Sequence, residues 1–193
     1  RGQRMMERKT GTAEVRGEME KLIFSKRLLE RTEQMRRSPV SVLEAPAGYG
    51  KTTAVTWVLE GAEAAAWYTG VENLPDTSFY WFIRQLAAVD ERTVRRIETL
   101  GFLNRSNASL AAQALLELRV AKPMTLIFDN FQFAADNWPP QIIDALVKRP
   151  ADGLHIVFIA QNLGRLRTVF EALEGAVCFL RAGDLLLAQE DVC

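Results

Sequence analysis

The segment Ala45-Pro46-Ala47-Gly48-Tyr49-Gly50-Lys51-Thr52-Thr53 carries the strongest chemical signal in the sequence. It joins a short β-rich run to a helical pattern, the setting a phosphate-binding loop needs. Gly48 and Gly50 let successive backbone N–H groups turn inward with no Cβ in the way. The amides of Ala47, Gly48, Tyr49 and Gly50, with those of Lys51, Thr52 and Thr53 at the start of the helix, can then cradle a β-phosphate. Lys51 can reach the β- and γ-phosphates, and the Thr52 hydroxyl can coordinate Mg²⁺. Ala45 replaces the first glycine of the general pattern.

Such a loop needs a second element to hold the metal. The run Met124-Thr125-Leu126-Ile127-Phe128-Asp129 supplies it. Its apolar residues hold a strand in a sheet, and Asp129 then projects at the carboxyl edge beside the phosphates. Thr52 and Asp129 are the expected Mg²⁺ ligands. Asp129 lies 78 residues beyond Lys51. That spacing leaves room for an extra strand, so the strand bearing Asp129 is not expected directly beside the one that precedes the loop. Asn130 follows, where hydrolysing enzymes of this layout place an acid; Asn can orient a water but cannot accept its proton. The next buried run, 154–160, ends in Gln161-Asn162, where a polar side chain could sense the γ-phosphate or simply face solvent. Asn130 and Gln161 are thus the weak catalytic candidates. His155 reads as a satisfied core or edge histidine, Cys178 as an inert buried thiol, and Trp57, Trp67, Trp81 and Phe79 as core residues.

The elements that must position these groups alternate along the chain. Val40–Glu44 is a short β-rich run and residues 51–60 a helix with Val55, Val58 and Leu59 on one face. Residues 64–69 form another apolar run. Phe79, Phe82, Ile83 and Leu86 mark an amphipathic helix over 76–89, with Asp76 as its N-cap. Leu110, Ala114, Leu115 and Leu118 give a second stripe. Residues 124–128 are typical of a strand buried on both faces. Pro139-Pro140 opens a helix with Ile142, Ile143, Leu146 and Val147 on one side. A strand at 154–160, a helix bearing Leu166, Val169, Phe170 and Leu173, and a strand at 176–180 complete the pattern. This alternation predicts an α/β fold, a three-layer P-loop NTPase core with a parallel sheet.

Composition narrows the function classes. The chain has 193 residues, 48% hydrophobic, with 24 Lys+Arg against 24 Asp+Glu. Zero net charge argues against a dedicated nucleic-acid-binding domain. One histidine and two cysteines exclude a disulfide scaffold and a His/Cys metal site, and they fit a reducing cytoplasm. No run of about 18 apolar residues suggests a membrane span. Residues 1–40 hold 11 Lys/Arg and 6 Asp/Glu. We expect residues 1–20 to be a flexible leader and 21–193 the P-loop domain.

Several stretches together resemble the nucleotide-binding domain of the MalT-type, LuxR-type ATP-dependent transcriptional regulators, of the STAND class of P-loop ATPases. They are Lys26-Arg27-Leu28-Leu29-Glu30-Arg31, the loop 45–53 itself, Ala66-Trp67-Tyr68, Phe79-Tyr80-Trp81-Phe82, Leu126 to Phe131, Leu154-His155-Ile156-Val157, and Leu180-Arg181-Ala182-Gly183-Asp184-Leu185. The resemblance covers residues 22–191. It implies binding of ATP or ADP with Mg²⁺, an adenine pocket near residues 24–28 that includes Arg27, self-association in the ATP state, and an ASCE/AAA-like sheet. DNA would be contacted only by a C-terminal domain not contained in these residues. The chain departs from the family where Asn130 replaces a second acid and where Ala160-Gln161 replaces a Ser-Arg pair. Those departures imply slow or absent hydrolysis and a switch. The alternative is an AAA-like motor, for which Arg165 and Arg167 are the possible arginine fingers.

Overall fold

The structure, a computed structural model, describes residues 26–59, 64–72, 77–173, 175 and 177–185. The leader expected at 1–20, Phe24 and Ser25 of the expected adenine pocket, Asp76 as a cap and Cys193 lie outside the described residues.

Helix α1 (Lys26–Arg37) leads into strand β1 (Val40–Glu44), and α2 (Lys51–Val58) follows the loop. Then come β2 (Ala65–Thr69), α3 (Thr77–Leu86), α4 (Glu91–Glu98) and α5 (Ala108–Leu116). Strand β3 (Met124–Asp129), the short α6 (Gln132–Ala135), α7 (Pro140–Lys148) and β4 (Leu154–Ala160) form the centre. Helix α8 (Leu166–Glu171), strand β5 (Val177–Arg181) and α9 (Ala182–Leu185) close it.

The five strands form one sheet in the order β2-β3-β4-β1-β5, every pair parallel. The fold is therefore α/β with a parallel sheet between helical layers. Side chains alternate across the sheet as the period of two requires. Val40, Val42, Leu126, Phe128, Ile156 and Phe158 enter a core with α3, α4, α5, α7 and α8. Leu43, Ile127, Val157, Ile159 and Leu180 enter a second core against Leu28 and Met35 of α1 and Val55 and Val58 of α2. Both faces being covered explains why β1, β3 and β4 read as largely apolar runs, interrupted internally only by Ser41, Thr125 and His155. As expected, β3 is not directly beside β1; the strand between them is β4, while β2, the extra strand in the 78-residue interval, lies at the end of the sheet.

No extended apolar stripe marks helix α4 in the sequence. It is set by its cap: Asp90 accepts the Thr93 N–H at 3.1 Å and also the Arg119 N–H at 3.1 Å, tying the start of α4 to the end of α5. Two expectations are corrected. Leu110 does not lie on the buried face of α5; it is 53% exposed, and Ala108, Ala111, Ala112, Ala114 and Leu115 form that face. Ala114, Leu115 and Leu118 of the expected stripe are buried, and small alanines let α5 lie close to its neighbours with Leu110 turned outward. Trp67 is not core either, at 36% exposed. It lies on β2, the end strand of the sheet, on the face whose core takes residues from β1, β3, β4 and β5 but none from β2. Trp57 and Trp81 with Phe79 do pack against the two cores. Cys178 is buried, and burial raises its thiol pKa. Among the described residues no helix is long and apolar enough to cross a membrane.

Candidate functional site

The carboxyl ends of β1, β4 and β3 meet at one edge of the sheet. Glu44 ends β1, and Ala45 extends the ladder by one bond, its N–H donating to Ala160 at 3.3 Å. The chain then turns through an exposed loop into α2. Gly48 has φ 82° and Gly50 φ 75°, the left-handed region that an L side chain rarely adopts. A Cβ at either glycine meets nothing within 4 Å. The glycines are needed here for backbone conformation, not to avoid a clash, and the space beside the loop stays open.

Gly50 is the N-cap of α2 and offers no side-chain acceptor. The first amides of a helix have no intrahelical partner, so those of Lys51, Thr52 and Thr53 point out of the helix start. Together with the positive end of the helix dipole they make an anion-binding surface. Lys51 Nζ donates to the carbonyls of Ala45 at 2.6 Å and Pro46 at 2.8 Å, bracing the loop across its base. Burial lowers the Lys51 pKa, and the Asp129 charge opposes that shift.

The Thr52 hydroxyl donates to Asp129 Oδ2 at 3.2 Å. Two residues far apart in sequence are thus brought to one point by the sheet. Asp129 Oδ1 accepts the Asn130 N–H at 2.8 Å. A hydroxyl and a carboxylate are hard oxygen donors, and two protein ligands leave room for the waters and phosphate oxygens that Mg²⁺ keeps. The donor set and the open cradle at Gly48 and Gly50 fit a magnesium nucleotide.

Asn130 has φ 54°, a conformation Asn tolerates better than most residues. Gly70 explains why the turn is tight. Its N–H donates to the Asp129 carbonyl at 2.7 Å, and a Cβ there falls 2.6 Å from the Asn130 carbonyl oxygen. The Asn130 Oδ1 accepts from Gln132 Nε2 at 3.4 Å, and Gln132 Oε1 accepts the Gln161 N–H at 3.1 Å. Asn130 and Gln161 are therefore linked through a residue our reading of the sequence passed over. Glu44 and Gly70 were missed too. The available signals were an acid ending an apolar strand and a glycine directly after one.

Arg27 stands at the same sheet edge on the β5 side, where its Nε donates to Asp184 Oδ1 at 2.9 Å. Arg165 pairs with Asp136 at 3.0 Å and Arg167 with Glu44 at 2.6 Å. His155 sits at the opposite end of β4, its Nε2 3.3 Å from the Ser41 hydroxyl, with its pKa pushed down by burial to about 4.

No family model matches the chain. The chain is similar to the HTH-type transcriptional regulator MalT of Cronobacter sakazakii (strain ATCC BAA-894), 24% identical over 156 residues, which cover 77% of this chain and 17% of MalT. The chain thus spans about a sixth of the length of that relative. Two solved structures are also similar. One is a Signal Transduction ATPase with Numerous Domains (STAND) protein with a tetratricopeptide repeat sensor from Pyrococcus horikoshii. It is 16% identical, covers 88% of this chain and 24% of that one, and has a TM-score of 0.48. The other is a Walker-type ATPase of Pyrococcus abyssi, 13% identical, covering 88% of this chain and 55% of that one, with a TM-score of 0.43. The sequence similarity is to the MalT regulator, and the sheet is the parallel α/β sheet expected of a P-loop NTPase core.

Proposed function

We propose that the chain binds ATP and ADP with Mg²⁺ and acts as the nucleotide-controlled switch of a LuxR/MalT-type transcriptional regulator in the cytoplasm. In this reading ATP favours a self-associating form, and DNA is contacted by a separate C-terminal domain. The observation that carries it is the 3.2 Å contact between Thr52 and Asp129 beside an open, left-handed glycine loop.

The roles follow from the residues. The amides from Ala47 to Thr53 hold the phosphates, and Lys51 supplies the mobile cation. Thr52 and Asp129 would hold Mg²⁺, which when bound neutralises phosphate charge. Arg27 is the adenine-side candidate that the resemblance implies. Asn130 and Gln161, joined through Gln132, can orient a water but offer no base to take its proton. That supports a switch over a motor, as do the ion pairs that engage Arg165 and Arg167 within the chain.

The test is calorimetry with MgATP on the 193-residue chain and its Lys51→Ala variant. Loss of one charge-assisted phosphate contact lowers affinity by about ten- to a hundredfold, on the order of 1.5–3 kcal/mol. Equal affinities remove the loop from the account. Sedimentation with MgATP against MgADP tests self-association, and the same mass with both nucleotides counts against it.

A further inference from the structure

Glu44 is the last residue of β1, and its side chain is only 10% exposed. Its Oε1 accepts the backbone N–H of Leu163 at 2.9 Å and the Arg167 guanidinium at 2.6 Å. A carboxylate this buried persists where it is paired and hydrogen-bonded, and here both conditions are met by one segment. That segment leaves β4 and enters α8. Because β4 lies between β1 and β3, the segment emerges between the phosphate loop and Asp129. It turns at Gly164 (φ 53°), whose N–H donates to the Asn162 side chain at 2.8 Å. Its start is held by Gln132 at the Gln161 N–H, and its end by Glu44. Glu44 therefore joins the root of the phosphate loop to the segment that leaves β4.

We propose that Glu44 and Arg167 are positioning residues whose ion pair sets how strongly the site prefers a nucleoside triphosphate over a diphosphate. The inference rests on the nucleotide-binding reading above. The phosphates of a diphosphate are held by the loop amides and Lys51. Only a third phosphate extends toward Asp129 and Gln161, so a displaced segment 161–165 alters triphosphate contacts selectively. In Arg167→Gln charge acts in the same direction, whereas in Glu44→Gln the carboxylate is gone and the displaced segment is what lowers the ratio. Arg167 neutralises a carboxylate that stands directly before an anion-binding loop, and an unpaired Glu44 repels the more highly charged ligand more strongly.

The experiment is calorimetry on the full chain with MgADP and with the slowly hydrolysed MgATPγS, comparing wild type with Glu44→Gln, Arg167→Gln, Arg167→Lys and the double Gln variant. Glu44→Gln and Arg167→Gln are expected to reduce the triphosphate-to-diphosphate affinity ratio about three- to tenfold, with MgADP affinity held within about twofold. Arg167→Lys retains most of the ratio, and the double variant is no worse than the more affected single one. Amide exchange at Leu163 speeds up in Glu44→Gln. Arg167 is half-exposed, so Arg167→Gln gives the same reading if Glu44→Gln folds poorly. Parallel weakening of both nucleotides, or a ratio unchanged in Glu44→Gln and Arg167→Gln while the wild type binds and Lys51→Ala does not, overturns this inference alone. A wild type that binds neither nucleotide overturns the nucleotide reading and this inference with it.

Discussion

Asn130 directly follows Asp129, where a hydrolysing enzyme of this layout is expected to carry a carboxylate. Its left-handed backbone, its bond from Gln132 and the close approach of Gly70 hold it in place. Held there, the amide can align a water but cannot deprotonate it. Turnover by this chain is therefore expected well below the roughly 1–100 s⁻¹ of kinases, and Asn130→Asp is expected to raise it. A phosphate-release assay checks both; brisk release by the wild type shows that another group activates the water. At the other end of β4, His155 makes a different prediction. Burial pushes its pKa from 6.5 to about 4. Between those values the unfolded chain binds more protons than the folded one, so stability is retained above about pH 6.5 and falls as the pH drops toward 4. The loss from this group is on the order of 3 kcal/mol when complete. Urea unfolding from pH 7 to pH 4 measures it, and the pH slope of His155→Gln is expected to be shallower over that window.

At the scale of elements, α5 shows how packing chooses among stripes. The sequence offers both Leu110-Ala114 and Ala111-Leu115-Leu118 at helical spacing. Leu110 alone of these is exposed, because alanines at 108, 111, 112 and 114 bring the helix axis near its neighbours and turn Leu110 outward. Leu115→Ala is expected to cost about 2–5 kcal/mol, since it opens a cavity in the larger core. Leu110→Ala is expected to stay within about 0.5 kcal/mol. Equal costs by urea denaturation contradict this register. Strands and caps were legible to different degrees. Strands β1 and β4 match their apolar runs residue for residue, because burial on both faces leaves no polar alternation to blur the ends. Helix α4 was hidden because only Thr93, Val94 and Ile97 are buried in a segment rich in arginine and glutamate. Asp90, whose capping bond starts it, carries that signal in a single residue.

For the whole molecule, charge makes the sharpest statement. The chain is formally neutral, and phosphate contacts dominate non-specific DNA affinity. We expect no binding to random duplex DNA below about 10 μM at physiological salt. Fluorescence anisotropy tests this, and sub-micromolar, salt-sensitive binding that disappears on deleting residues 1–20 overturns it.

The sequence by itself determined the class of fold, the phosphate loop and Asp129. These are local matters: runs of apolar residues seeking burial, glycines seeking positive φ, and an acid at the end of a strand. The 78 residues between Lys51 and Asp129 also left room for an extra strand, β2, but the sheet sets β2 at its end and places β4, which follows Asp129 in the chain, between β1 and β3. The tertiary structure decided which side chains meet. Thr52 reaches Asp129 only because the sheet brings the ends of β1, β4 and β3 to one edge. Gln132 joins Asn130 to Gln161, and Glu44 captures Leu163 and Arg167, across separations that no periodicity encodes. Trp67 is exposed although its composition suggests core, because burial on a sheet depends on which strand ends the order. Hydrogen bonds and ion pairs are set by distances in space, and strand order, which assembles those distances, is a property of the packed chain rather than of any segment within it.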